Sequence, residues 1–229
     1  MELTELLGRH LHELGCPVPE VIDLQPVRRG RSGDLSTAVA HRVAGAGAGQ
    51  LAVRLARRLE GVGAVAQARA EAGYLILTLT TTALATGVRQ LLDTAPRRAT
   101  GTAWPAPLHP VAFAHARCRN VARAARAHGV RSDPGAELDS TLTAVVGEWH
   151  TRRLLVRLTL DRPGGTGAAV ALRDLAACYQ DFYRRTRTAP RGSEPVASVH
   201  RTHLAVTEAT AVALATGLAA LGLHAPEHL

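Results

Sequence analysis

The feature that most limits the folds open to this chain is a change of pattern at residues 94–110. There Pro96, Gly101, Pro105, Pro107 and Pro110 interrupt both strand and helix, because proline fixes φ and removes an amide donor, and glycine eases a turn. Before this stretch the apolar residues switch between helical and strand spacing. After it only helical spacing remains. A chain of 229 residues has the length of one or two domains. The break is therefore read as a Pro-rich linker, 94–109, joining an α+β domain, 1–93, to an all-α antiparallel helical bundle, 110–229.

Within the first domain Leu3, Leu6, Leu7, Leu11 and Leu14 recur at helical spacing, and Gly15 with Pro17 stops the helix. Residues 21–29 read as extended and lead into a turn at Gly30-Arg31-Ser32-Gly33. A helix is expected from Asp34, whose carboxylate would accept the free amide hydrogens of its first turn. Leu51, Leu55 and Leu59 mark another helix, 62–70 and 74–80 two strands, and 81–93 a further helix. Beyond the linker, helices are expected at 110–128, 136–160, 168–188 and 196–222, divided by glycine- and proline-bearing turns.

Charge narrows the chemistry. The chain has a formal net charge of +8 and no lysine, so every one of its 27 basic side chains is arginine. A Schiff-base lysine, a lysine general base and a P-loop lysine are excluded. A basic surface suits a polyanion, since each arginine that neutralises a phosphate releases counterions. Residues 111–131 hold five arginines and no acid. On a helical wheel Arg119, Arg123 and Arg126 share one side, and Phe113, Arg117, Val121 and Ala125 share the opposite, apolar one. A solvated face is the usual explanation of such a stripe, and a track for backbone phosphates is the sharper one; arginines locked into internal ion pairs would remove that grip. Arg117, among apolar neighbours, requires a partner or a ligand.

Other constellations are thin. Cys16, Cys118 and Cys178 fit neither a disulfide framework nor a paired-cysteine zinc site. His200 and His203 with His115 and Cys118 form an alternative zinc set without an acidic or cysteine cluster to complete it. Ser193, His200 and Asp181 lack a nucleophile elbow. Gly30 with Gly33, and Gly164 to Gly167, are read as turns rather than phosphate loops. No cofactor and no catalytic centre are expected. No apolar run approaches the ~18 residues of a membrane span, and the N-terminus has no signal-peptide layout. A cytoplasmic protein without a membrane partner is expected.

The stretch Val111-Ala-Phe-Ala-His-Ala-Arg117-Cys-Arg-Asn-Val121 resembles the opening helix of the DALR anticodon-binding domain of arginyl-tRNA synthetases. Leu204-Ala-Val-Thr-Glu208-Ala-Thr210 and Leu214 through Ala225-Pro226-Glu227-His-Leu229 resemble its terminal helix and Ala-Pro-Glu ending. Leu175-Ala176 and Asp181-Phe182-Tyr183 resemble its third helix. Gly33-Asp34-Leu-Ser-Thr37 and Gly73-Tyr74-Leu75 are similar to the appended N-terminal domain of the same enzymes. In that family a large catalytic domain lies between the two units, with a His-x-Gly-His signature; here only the Pro-rich stretch stands there and the signature is absent. The chain departs from the family pattern at Leu35, Ala38, Ile76, Phe113, His203 and Leu229.

The resemblance implies a non-catalytic tRNA-binding protein, with tRNA-Arg as the first partner and a tRNA-modifying enzyme or synthetase as a possible second. It implies that Phe113, Tyr179 and Tyr183 stack unpaired bases, that Arg117, Arg119, Arg123, Arg126 and His203 face the anticodon stem-loop, and that 224–229 closes over the loop. Gly33, Asp34 and Tyr74 would touch the D-loop side. The alternative is a protein-interaction or regulatory module that keeps the fold without the RNA, to which the apolar residues Ala38, Ile76 and Leu229 point.

Overall fold

A computed structural model describes residues 3–28, 31–95, 99–101, 104–132, 135, 137–160 and 167–228. The chain divides into two compact units, Met1–Ala83 and Leu84–Leu229. This division falls ahead of the 93/94 boundary expected from the sequence, because from Leu84 onward the fourth helix packs with the second unit. Gly87 abuts Thr159, and Arg89 pairs with Asp139.

The first unit is α+β, as expected. Its helices are α1 (Leu3–Glu13), α2 (Val39–Ala44) and α3 (Ala48–Leu59); its strands are β1 (Gln25–Pro26), β2 (Leu35–Thr37), β3 (Val65–Glu71) and β4 (Tyr74–Leu79). The strands form one antiparallel sheet in the order β1-β2-β4-β3. On α3 the i, i+4 series Leu51, Leu55 and Leu59 is buried with Ala52 and Ala56, while Arg54, Arg57 and Arg58 face out. That stripe meets Leu75 and Leu77 of the sheet and Leu7 and Leu11 of α1 in the core. Each fully buried leucine contributes about 1.5–3 kcal/mol. The β3–β4 hairpin turns on Ala72 and Gly73, both at positive φ (49° and 80°), as a two-residue type I′ turn requires.

Two expectations fail here. Residues 35–37 are a strand, not the start of a helix, and Asp34 caps nothing. Its carboxylate is buried and accepts the Leu79 amide hydrogen at 2.7 Å, while its own amide donates to Leu77 O at 2.8 Å. Asp34 thus ties the entry of β2 to β4. Of the extended stretch 21–29, the described strand is Gln25–Pro26.

The second unit is helical. It contains most of α4 (Thr81–Leu92), then α5 (His109–Ala127), α6 (Glu137–Val145), α7 (Trp149–Thr159), α8 (Ala168–Arg185) and α9 (Ser198–Ala220). The expected helix 136–160 is two helices, because the chain turns at Val146–Gly147 and Glu148 is extended (ψ 123°) where α7 begins. Helix α9 is the hub, packed by α5, α6, α7 and α8. Small side chains, Ala114, Ala122 and Ala125 on α5 and Ala205, Ala209 and Ala213 on α9, are buried where these helices meet. Two buried hydroxyls on α9 are satisfied within the helix, Thr207 Oγ1 donating to His203 O at 2.8 Å and Thr210 Oγ1 to Val206 O at 2.7 Å, while Thr202 Oγ1 donates to Thr141 Oγ1 of α6 at 2.6 Å. By length and composition α9 is apolar enough to cross a membrane, yet 72% of that window is buried inside the protein. It is a core helix.

Candidate nucleic-acid interface

Helix α5 has a buried face of Val111, Ala114, His115, Cys118, Ala122 and Ala125, and two flanks that reach solvent. Phe113, expected among the apolar residues, is 46% exposed. The buried arc centres on Cys118 and Ala122 and leaves Phe113 and Arg117 outside it.

On that flank the Arg117 guanidinium lies between two rings, 4.4 Å from the Phe113 centroid and 4.8 Å from that of Tyr183 on α8. It also donates to Gln180 Oε1. The expectation that Arg117 needs a partner is met by cation–π contacts and an amide rather than by an acid. Such contacts retain the full positive charge. Tyr183 is 41% exposed, so this flank presents two half-exposed rings around a cation. Rings and guanidinium planes of this kind are surfaces on which unpaired bases stack.

The other flank corrects the phosphate-track expectation. Arg119 Nε donates to Glu227 Oε2 at 2.8 Å, Arg123 lies 3.8 Å from the same carboxylate, and Arg126 donates to Glu208 Oε1 at 2.5 Å. Glu208 is further held by Ser132 Oγ at 2.5 Å. The stripe is therefore a clamp on α9 and on the C-terminal tail. The tail is gripped elsewhere too. The His115 Nδ1 hydrogen goes to Pro226 O at 2.7 Å, Trp104 Nε1 donates to His224 O at 2.8 Å, and the His224 amide donates to Gly101 O at 2.7 Å. Residues 224–228 are thus docked on α5 instead of standing over a ligand loop; Leu229 lies outside the described residues. Gly101 and Trp104, expected in a linker, belong to this docking.

The remaining expected residues scatter. Tyr179 is fully buried, so its ring offers no face to a base; burial above all raises the pKa of its hydroxyl. His203 is buried, donating from Nδ1 to Arg187 O at 2.9 Å and meeting Phe182 edge-on at 5.5 Å. It positions the segment after α8 and cannot reach RNA. Burial, the leading cause, lowers the pKa of both His115 and His203 below the ordinary 6.5. Glu227, which burial pushes up, is held below its ordinary value by the Arg119 bond and by the charges of Arg119, His115 and Arg123. In the first unit Gly33 sits at φ +101° against Ile76, Asp34 is buried, and Tyr74 alone of the three is well exposed, edge-on to His41 at 5.0 Å.

The members of the alternative zinc set are engaged singly: His115 with Pro226, His203 with Arg187, and His200 Nδ1 accepting the Ala197 amide hydrogen at 3.1 Å. Cys118 and Cys178 are buried and their thiols are pushed up in pKa by that burial. No group of three or more potential metal ligands exists among the described residues.

Sequence reasoning passed over one place. Behind Tyr183, Arg184, Arg185, Arg187 and Arg191 line an open cleft of about 520 Å³ whose floor includes Val121 and Ala124. The signal was the run Tyr-Arg-Arg-Thr-Arg at 183–187. It straddles the end of α8, where a wheel no longer applies.

Residues 111–229 match the family described as the DALR anticodon binding domain. Among curated proteins the chain is similar to the arginine–tRNA ligase of Kineococcus radiotolerans, 35% identical over 133 residues, covering 54% of this chain and 23% of that protein. It is similar also to those of Micrococcus luteus, 34% over 138 residues (54% and 24%), and Paenarthrobacter aurescens, 33% over 133 residues (54% and 23%). The chain spans about a quarter of the length of these relatives. No solved structure matches.

Proposed function

Since the chain belongs to the DALR anticodon binding domain family through residues 111–229, we propose that it binds tRNA through the helical unit without aminoacylating it. The observation that supports this best is the Phe113–Arg117–Tyr183 stack, two half-exposed rings around a cation that has no ion pair among the described residues. A base released from the anticodon loop stacks on these planes, and the arginines around them meet the phosphates on either side. The relatives, named as arginine–tRNA ligases, make tRNA-Arg the first choice. The match to the anticodon-binding part, together with the absence of lysine, supports a binding role that hands tRNA to a partner such as a modifying enzyme or a synthetase. We assign the first unit, by its Gly33-Asp34 and Gly73-Tyr74 motifs, to the synthetases' appended domain, with Tyr74 as its exposed contact on the D-loop side.

Gel retardation of total tRNA at two salt concentrations tests the reading. A shifted band at low salt that weakens as salt rises is expected, because phosphate contacts release counterions; an unshifted band at low salt overturns it. The internal pairing of Arg119, Arg123 and Arg126 favours a second reading, a protein-interaction module that has given up RNA. Under that reading the chain purifies with a stoichiometric protein and no nucleic acid.

A further inference from the structure

The arginine-lined cleft behind Tyr183 is built by the end of α8 and the segment that follows it. Glu194 shapes that segment: Oε2 accepts the Arg191 amide hydrogen at 3.0 Å and the Arg187 guanidinium at 3.2 Å, and the Glu194 amide donates back to Arg191 O at 3.0 Å. Gly192 supplies the positive φ of 55° that the reversal needs. Arg187 is thereby neutralised. Arg191 is fixed by its backbone while its exposed side chain has no ion pair among the described residues, and the same is true of Arg185. Among the described residues Arg184 has only Asp181 at 3.9 Å, both well exposed, a separation at which a surface pair holds little.

The cleft thus has four arginines against two acids, Asp181 and Glu194, beside Val121 and Ala124. Its volume, about 520 Å³, is in the usual range of ligand pockets. Tyr183 is shared: one side lines the cleft and the ring also stacks on Arg117. Cleft and ring stack form one continuous surface. An apolar floor gives a double helix nothing, since duplex phosphates stay on the outside of stacked pairs. It does suit a base that has left its stack.

We propose that this cleft is a second RNA subsite, which takes one unstacked nucleotide of a single strand next to the base on the Phe113–Arg117–Tyr183 stack. Arg185 and Arg191 neutralise its flanking phosphates, and the base lies against Tyr183 and the Val121–Ala124 floor. This rests on the tRNA-binding reading above. The test is the salt dependence of binding to total tRNA by the full chain and by Arg185→Ala/Arg191→Ala. Losing two phosphate contacts makes the slope of log K against log salt shallower by about 1.4–1.8. Arg185→Lys/Arg191→Lys, which restores charge at exposed positions, returns the slope, and thermal unfolding is unchanged in both variants. A double alanine variant that binds tRNA with the parent slope overturns the subsite and leaves tRNA binding standing. A parent chain that does not bind tRNA at low salt overturns both.

Discussion

Arg117 and Asp34 show how differently a buried or half-buried charge is met. Arg117 is held by two rings and Gln180, so its charge stays available to a ligand. Asp34 is spent on the sheet through the Leu79 amide, which is why a motif residue turned out to be a strut. Its motif was legible, but a three-residue strand is too short to show alternation, and Asp before Ser and Thr reads as a helix start. At the same scale, Ala72 is the one described non-glycine residue at positive φ, a conformation that costs an L-residue about 1–2 kcal/mol. Ala72→Asn is expected to stabilise the chain by about 1 kcal/mol, since asparagine tolerates that region and favours type I′ turns. Urea unfolding followed by circular dichroism measures it; a destabilised variant would show that Ala72 has a packing role.

Among the elements, most helices are legible from apolar period and β4 from its run of β-favouring Tyr, Leu and Ile residues. The 136–160 helix is not, because Gly147 in an otherwise helical pattern is a weak breaker until tertiary packing decides. The arginine stripe of α5 lies on one side of its helix, as the wheel predicts, but the wheel does not predict its partners. Its acids stand 82 and 108 residues away in sequence, and a wheel carries no information about what faces it. Likewise the arginines at 184–191 leave the helix within a few residues. The two buried histidines, His115 under the tail and His203 beneath the segment after α8, predict a pH response. His115 and His203 bind protons less readily folded than unfolded, so the unfolded chain gains protons first as pH falls. Stability is therefore full above the ordinary histidine value of 6.5 and declines below it until the folded histidines themselves protonate. Glu227, held low by its arginines, adds a second loss in the carboxylate range below that. Urea titrations across this range check it, and His115→Asn/His203→Asn flattens the first decline. A parent chain equally stable on both sides of 6.5 contradicts the burial of these rings.

For the molecule as a whole, a net charge of +8 marked the partner's sign but not where it docks. Much of the positive charge is internal business: Arg31 and Arg69 converge on Glu71, Arg58 on Glu13, Arg157 on Asp174, and the α5 stripe on Glu227 and Glu208. Among the described residues, exposed arginines outside these pairs include Arg185 and Arg191 at the end of α8, and also Arg28, Arg54, Arg57, Arg131 and Arg173; the end of α8 is where such arginines adjoin half-exposed rings. The most direct measurement compares tRNA affinity, by filter binding at low salt, for Phe113→Ala/Tyr183→Ala and for Arg126→Ala. Base stacking is worth about 1–3 kcal/mol per base, so the ring variant is predicted to lose about tenfold or more, while Arg126→Ala, already paired to Glu208, stays within about twofold. Unchanged binding in the ring variant, or an equal loss in Arg126→Ala, would contradict the account.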